Sequence, residues 1–141
     1  MKKLLLAIPL LSMMTTVFAG SLVNYAHDCD ATTQYCVYFK ADQSITQPVT
    51  AKAFTEAMVD DSHYFQNWNI SLSKGYTNYA WVDLNQAKFH KIDYITHGIS
   101  HIGASTIADC KITVTEAQLI PGIHTLLITK TDSGYTCKRM D

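Results

Sequence analysis

Residues Tyr64 to Leu84 read YFQNWNISLSKGYTNYAWVDL, and this stretch decides the fold class. Apolar and polar side chains alternate on both sides of Lys74-Gly75, which is the two-residue period of a half-buried β-strand. We therefore predict a β-hairpin. A two-residue loop at Lys74-Gly75 would place Trp68 opposite Trp81, whereas a three-residue loop that starts at Ser73 puts all even-numbered side chains on one face.

The three-residue loop is preferred because it buries more apolar surface and places Gly75 where a left-handed backbone is required. The even-numbered face then points to the core through Tyr64, Trp68, Ile70, Leu72, Ala80, Val82 and Leu84. The opposite face combines aromatic rings with amides and a carboxylate. It consists of Phe65, Asn67, Asn69, Tyr79, Trp81 and Asp83.

Turn residues separate further short segments rich in Tyr, Val, Ile and Thr, which is typical of an all-β domain. Predicted strands are Cys36 to Ala41, the segment CKITVTE that begins at Cys110, Ile123 to Lys130 and Tyr135 to Arg139. The one helical candidate is Thr50 to Asp60 (TAKAFTEAMVD), in which Thr50 can cap the start. Its apolar side chains at helical spacing are Ala51, Phe54, Ala57 and Met58.

The segment LIPGIHTLLITKTDSGY, residues 119–135, resembles the end of bacterial extracellular immunoglobulin-like domains. Those domains show a Pro-Gly turn, a strand that starts with His-Thr-Leu, and a later turn with Asp and Gly. The resemblance implies a two-sheet sandwich and no particular activity. We predict a mainly β, antiparallel, immunoglobulin-like two-sheet sandwich with one short helix. Within the segment, His124 shares a strand face with Leu126 and Ile128, as a core or edge histidine would.

The first residues, MKKLLLAIPLLSMMTTVFAG, have the form of an export signal, with two lysines before an apolar run. We predict a signal peptide at residues 1–19, cleavage after Ala19, and one secreted or periplasmic domain at residues 20–141. Without Lys2 and Lys3, the 11 basic residues become 9 against 12 acidic ones, a net charge of −3. The absence of a basic cluster argues against nucleic-acid binding, and no later segment is apolar for long enough to span a membrane.

Four cysteines follow the predicted cleavage site, and an even number in an exported chain indicates disulfides. We predict Cys29–Cys36 and Cys110–Cys137, because each pair can close across neighbouring strands. A zinc site is the alternative, but no C-x-x-C spacing occurs.

The segment HKIDYITHGISH, His90 to His101, holds three of the six histidines. A helix would place Asp93, His97 and His101 on one face, where they could share a metal ion. On a strand, residues four apart lie about 13 Å from each other, too far for one ion. The β-branched content favours a strand up to Thr96 followed by a loop, although the isoleucines keep a helical spacing.

Two functions from different classes follow from these patterns. The favoured one is a non-catalytic binding domain without a cofactor, whose Phe65, Asn67, Asn69, Tyr79, Trp81 and Asp83 side chains hold a glycan or a protein partner. The alternative is a small secreted metal-dependent hydrolase that uses Asp93, His97 and His101.

Overall fold

The structure is a computed structural model that describes residues 22–24, 28–73, 75 and 77–141. The predicted signal peptide and its cleavage site lie outside these residues. The described residues form ten strands, numbered in chain order: β1 (Val23–Asn24), β2 (Gln34–Ala41), β3 (Val49–Val59), β4 (Ser62–Leu72), β5 (Thr77–Asp83), β6 (Ile92–Ile102), β7 (Ser105–Thr106), β8 (Lys111–Val114), β9 (Gly122–Thr131) and β10 (Gly134–Arg139).

The strands make two sheets that pack face to face. The first sheet has the order β1-β5-β2-β9-β10, and its β2–β9 pair is parallel. The second sheet has the order β4-β3-β6-β7, and β8 also pairs with β6. All the other described pairs are antiparallel. The prediction of a mainly β, two-sheet sandwich is therefore confirmed, but the prediction that it is antiparallel throughout is wrong, because β2 and β9 are paired in parallel.

The core lies between the sheets and follows the two-residue period of the strands. In β2, alternate residues from Tyr35 to Ala41 are buried, and in β3 alternate residues from Ala51 to Val59 are buried. Side chains from both sheets form one apolar cluster, which includes Phe39, Ile95 and Leu126. Complete burial of side chains of this size contributes about 1.5–3 kcal/mol each, so the sandwich interior is the main source of stability.

The predicted helix at Thr50 to Asp60 is wrong, because this segment is β3, paired on both sides with β4 and β6. Small residues point into the core at every second position, and Lys52, Phe54 and Glu56 point outward. A helical period and a strand period both fit this sequence, and pairing with two distant strands selects the strand. Among the described residues, a short α-helix, α1 (Leu84–Ala87), follows β5, and the Asp83 carboxylate accepts a hydrogen bond from the backbone N–H of Asn85. A single 3-10 turn lies at Glu116–Gln118.

The predicted hairpin is also wrong, because its two strands belong to different sheets. β4 pairs with β3, while β5 pairs with β2 and β1. The turn before β4 is Asp60-Asp61, whose φ angles of 51° and 60° match the tight turn that suits a β-hairpin. The alternation within each strand is nevertheless as predicted, since Ile70, Leu72, Ala80 and Val82 are buried. Gly75 has the expected positive φ of 74°.

Both predicted disulfides are confirmed. Cys29–Cys36 joins the segment before β2 to β2 itself. Cys110–Cys137 joins the residue before β8, in the second sheet, to β10 in the first sheet. The second bridge is therefore a covalent link between the two layers of the sandwich.

Candidate functional site

From Ile92 onward the histidine segment is strand β6, so the predicted loop after Thr96 is wrong. β6 pairs with β3, and its register shifts twice, which leaves Asp93 and Ser100 as extra residues at β-bulges. Each bulge moves the next inward position by one residue. As a result, the four isoleucines at helical spacing all point into the core of the sandwich: Ile92, Ile95, Ile99 and Ile102.

β6 does not bring Asp93, His97 and His101 together. His97 is completely buried, and its Nδ1 lies 2.8 Å from the Thr55 hydroxyl. Burial lowers the pKa of His97 to about 4, so the ring is neutral near pH 7. His101 and Asp93 are exposed. Within the described residues, no three His, Cys, Asp or Glu side chains are placed to hold a metal ion.

The six residues predicted to form one binding face are divided between the two sheets. Phe65, Asn67 and Asn69 point outward from β4. Tyr79, Trp81 and Asp83 lie on β5, in the first sheet, and their outward direction is on the opposite side of the sandwich.

The three β5 residues make contacts within the domain that limit their access to a ligand. Tyr79 tilts against Tyr38, with ring centroids 5.4 Å apart. Trp81 is half-buried in register with the disulfide-bonded Cys36, and Asp83 caps α1. The β4 group therefore offers the more open surface.

The outward side of the second sheet is here named the Phe65 face. It is defined by Lys52, Phe54, Phe65, Asn67, Asn69 and Lys111. Phe65 is 60% exposed, and its ring stacks on Phe54 with centroids 6.1 Å apart and an interplanar angle of 22°. Two nearly parallel aromatic rings, an exposed Phe65 and a half-buried Phe54, thus form a platform on this face.

Gly98 makes room for this platform. It lies opposite Phe54 in the β3–β6 ladder and opposite Lys111 in the β6–β8 ladder. A Cβ atom on Gly98 would lie 2.9 Å from Phe54 Cε1, 2.8 Å from Lys111 Cβ and 2.5 Å from the Cys110 carbonyl oxygen. A glycine within a strand often marks such a close approach. Only a residue without a side chain lets the Phe54 ring lie across β6.

Polar groups surround the two rings. Asn67 lies opposite Phe54 and Asn69 lies opposite Lys52, and both asparagines are exposed. Among the described residues, no hydrogen bond engages either side-chain amide. Glu56, by contrast, is occupied, because its Oε1 lies 2.8 Å from His63 Nε2 and accepts a hydrogen bond of 3.4 Å from the Tyr94 hydroxyl.

Sequence analysis missed Lys52, Phe54, Gly98 and Lys111 as parts of this surface. The first two were assigned to a helix, and the last two gain significance only from their neighbours across the sheet. Two signals could have found them. One is the alternation of alanine with larger outward residues in β3, and the other is an isolated glycine in a β-branched segment.

A second surface is a cleft of about 410 Å³ at the end of the sandwich beside α1. Its floor is apolar and includes Leu84, Ile92 and Leu119, and its rim carries Lys88 and Glu116. The cleft has the size of a small-molecule site, but none of the residues that line it is a buried polar group that would direct a particular ligand.

His124 is a structural histidine, as its position in the strand predicted. Its Nδ1 pairs with the Asp141 carboxylate, and its ring stacks on Tyr35 with centroids 4.3 Å apart. Burial would raise the pKa of Asp141, but hydrogen bonds from Arg139 and His124 outweigh it and lower the pKa to about 2. This cluster holds the last described residues against the end of the first sheet.

Comparison with protein-family models, with curated proteins and with solved structures finds no match for this chain. In the part of the chain that the structure describes, no helix is long and apolar enough to cross a membrane. Of the two surfaces, the Phe65 face has both exposed rings and exposed amides, whereas the cleft beside α1 has only a suitable size.

Proposed function

We propose that this protein is an exported, non-catalytic binding domain whose Phe65 face holds a glycan. The observation that carries the proposal is the exposed Phe65 ring, stacked on Phe54 and bordered by the amides of Asn67 and Asn69. A single exposed ring is common on a protein surface, but a pair of stacked rings forms the contiguous apolar patch that marks interaction sites.

The chemistry of this surface matches a sugar. An aromatic ring face covers the C–H surface of a pyranose, and side-chain amides both donate hydrogen bonds to its hydroxyls and accept them. The outward side of a sheet is extended and shallow. It therefore suits a sugar chain that lies along the surface better than a single small molecule, which prefers a deep pocket.

Export and the immunoglobulin-like arrangement belong to the same proposal. Two disulfides are typical of a protein that folds in an oxidising compartment, which supports a secreted or periplasmic location after cleavage near Ala19. The immunoglobulin-like character of the two-sheet sandwich is proposed from the resemblance of residues 119–135. Mass determination of the protein from the exported fraction should give a chain that begins at Gly20.

The test of glycan binding compares Phe65→Ala with Phe89→Ala. Phe89 is 80% exposed, follows α1 and is not among the residues that define the Phe65 face, so it is a matched control for the loss of an exposed ring. A glycan array should identify a ligand for the wild-type protein, and calorimetry should then show that Phe65→Ala loses binding while Phe89→Ala keeps it.

Both variants should unfold within about 1 kcal/mol of the wild type, because exposed side chains contribute little to stability. Equal binding by Phe65→Ala and wild type would remove the proposed site. Binding of a protein but of no glycan would assign the Phe65 face to a protein partner instead.

A further inference from the structure

The lysines of the Phe65 face lack ion-pair partners among the described residues, whereas the acid beside them is hydrogen-bonded. Lys52 and Lys111 are both exposed, and neither forms an ion pair among the described residues. The neighbouring acid, Glu56, is held by His63 and Tyr94. The face thus presents two ammonium groups without acidic partners in the described part of the chain, although the chain after the predicted cleavage carries a net charge of −3.

The strand registers place the two lysines on either side of the aromatic platform. One row across four strands consists of Lys111, Gly98, Phe54 and Asn67. Lys52 lies in the next row, between Asn69 and His101. With about 4.8 Å between strands and about 3.4 Å per residue, the two lysine Cα atoms are about 12 Å apart. This separation suits an extended ligand with repeated charges.

We propose that the glycan is acidic, a polysaccharide of uronic acids whose carboxylates meet Lys52 and Lys111. The inference rests on the proposed function and adds the charge of the ligand to it. The rings and amides would bind any sugar chain of suitable shape. The two ammonium groups add a preference for carboxylates, since no acid among the described residues neutralises them.

The preference is modest and depends on salt. An exposed ion pair changes an equilibrium by about threefold, so two such pairs should favour an acidic polymer over its neutral counterpart by about tenfold. The difference should nearly vanish when the salt concentration rises from about 0.1 M to about 1 M, because the Debye length falls from about 10 Å to about 3 Å.

The experiment measures binding to polygalacturonate, alginate and hyaluronate, and to the same polymers after chemical reduction of their carboxyl groups. The double variant Lys52→Gln, Lys111→Gln should lose the tenfold preference and keep the affinity for the reduced polymers. The control is Lys130→Gln, Lys138→Gln, which removes two exposed lysines of the first sheet and should keep the preference.

The outcomes separate the two proposals. Equal affinity for acidic and reduced polymers, lost in Phe65→Ala, would overturn the acidic preference and leave the glycan site intact. An equal loss of the preference in both double variants would also overturn the inference, because it would reflect overall charge. If no polymer binds in either form, the acidic preference is wrong, and the glycan array with Phe65→Ala decides the glycan function separately.

Discussion

His97 should make the folded protein sensitive to mild acid. The unfolded chain binds a proton at this residue with the ordinary pKa of 6.5, whereas burial lowers the pKa to about 4 in the folded protein. Between these values the unfolded chain binds more protons, so the free energy of unfolding falls as the pH falls. One pKa unit corresponds to about 1.4 kcal/mol, so about 2.5 kcal/mol should be lost between about pH 7 and about pH 4.5.

The assay is urea unfolding at these two pH values for the wild type, His97→Gln and His101→Gln. A glutamine side chain cannot titrate, so His97→Gln should lose about 2.5 kcal/mol less than the wild type on acidification. His101 lies on the same strand but is exposed, and its variant should respond like the wild type. Asp141, with its pKa of about 2, titrates below this window and contributes equally to all three proteins.

His97→Gln is expected to be less stable at neutral pH, because a buried ring is lost, but the measured quantity is the difference between two pH values. A second measurement does not depend on the variant. The NMR titration of the His97 ring in the folded wild type should give a pKa below about 5. A value near 6.5, or an equal loss of stability in His97→Gln, would refute the assignment of acid sensitivity to this residue.

Two further predictions concern the disulfides and the glycine beneath Phe54. Loss of Cys110–Cys137 by double alanine substitution should lower the free energy of unfolding by about 3.5 kcal/mol, and loss of Cys29–Cys36 by about 2.5 kcal/mol, since the bridges span 27 and 7 residues. Urea unfolding that gives the reverse order would contradict this reasoning. Gly98→Ala should cost about 1–3 kcal/mol in the same assay, because its Cβ would lie 2.5 Å from a backbone oxygen. A variant as stable as the wild type would show that β6 can shift to admit a side chain.

The local patterns of the sequence predicted the fold class well. The alternation in β4 and β5 identified Ile70, Leu72, Ala80 and Val82 as inward residues, and all four are buried. The pairing of neighbouring cysteines was also correct. These predictions succeeded because strand alternation and short disulfide loops depend on residues close in sequence.

The partners of each strand could not be predicted in the same way. β4 looks like half of a hairpin with β5 because the two segments are adjacent and both alternate. Its real partner, β3, precedes it across the Asp60-Asp61 turn. The segment of β3 was assigned to a helix because its alanines, Phe54 and Met58 fit a helical period as well as a strand period. Because β3 was taken for a helix, no strand was left before β4 to serve as its partner.

β6 shows how a strand can imitate a helix. Its inward isoleucines are spaced by three, four and three residues, which is the spacing of a helical face. The two bulges, at Asp93 and Ser100, produce this spacing within a strand. Bulges arise from pairing with β3 and leave no signature in the sequence of β6 alone, so the ambiguity required the structure to resolve it.

The candidate site depends on strand pairing even more than the fold does. One row of the face contains residues from four strands, and they meet only because the strand registers align: Lys111, Gly98, Phe54 and Asn67. No linear motif contains them, and alternation alone gives each of them only an outward direction. The one part of the surface that sequence analysis found, on β4, is the part whose aromatic and amide residues lie within one strand. The charge of the face, and with it the expected preference for an acidic glycan, follows only when Lys52 and Lys111 are placed beside the rings by β3 and β8.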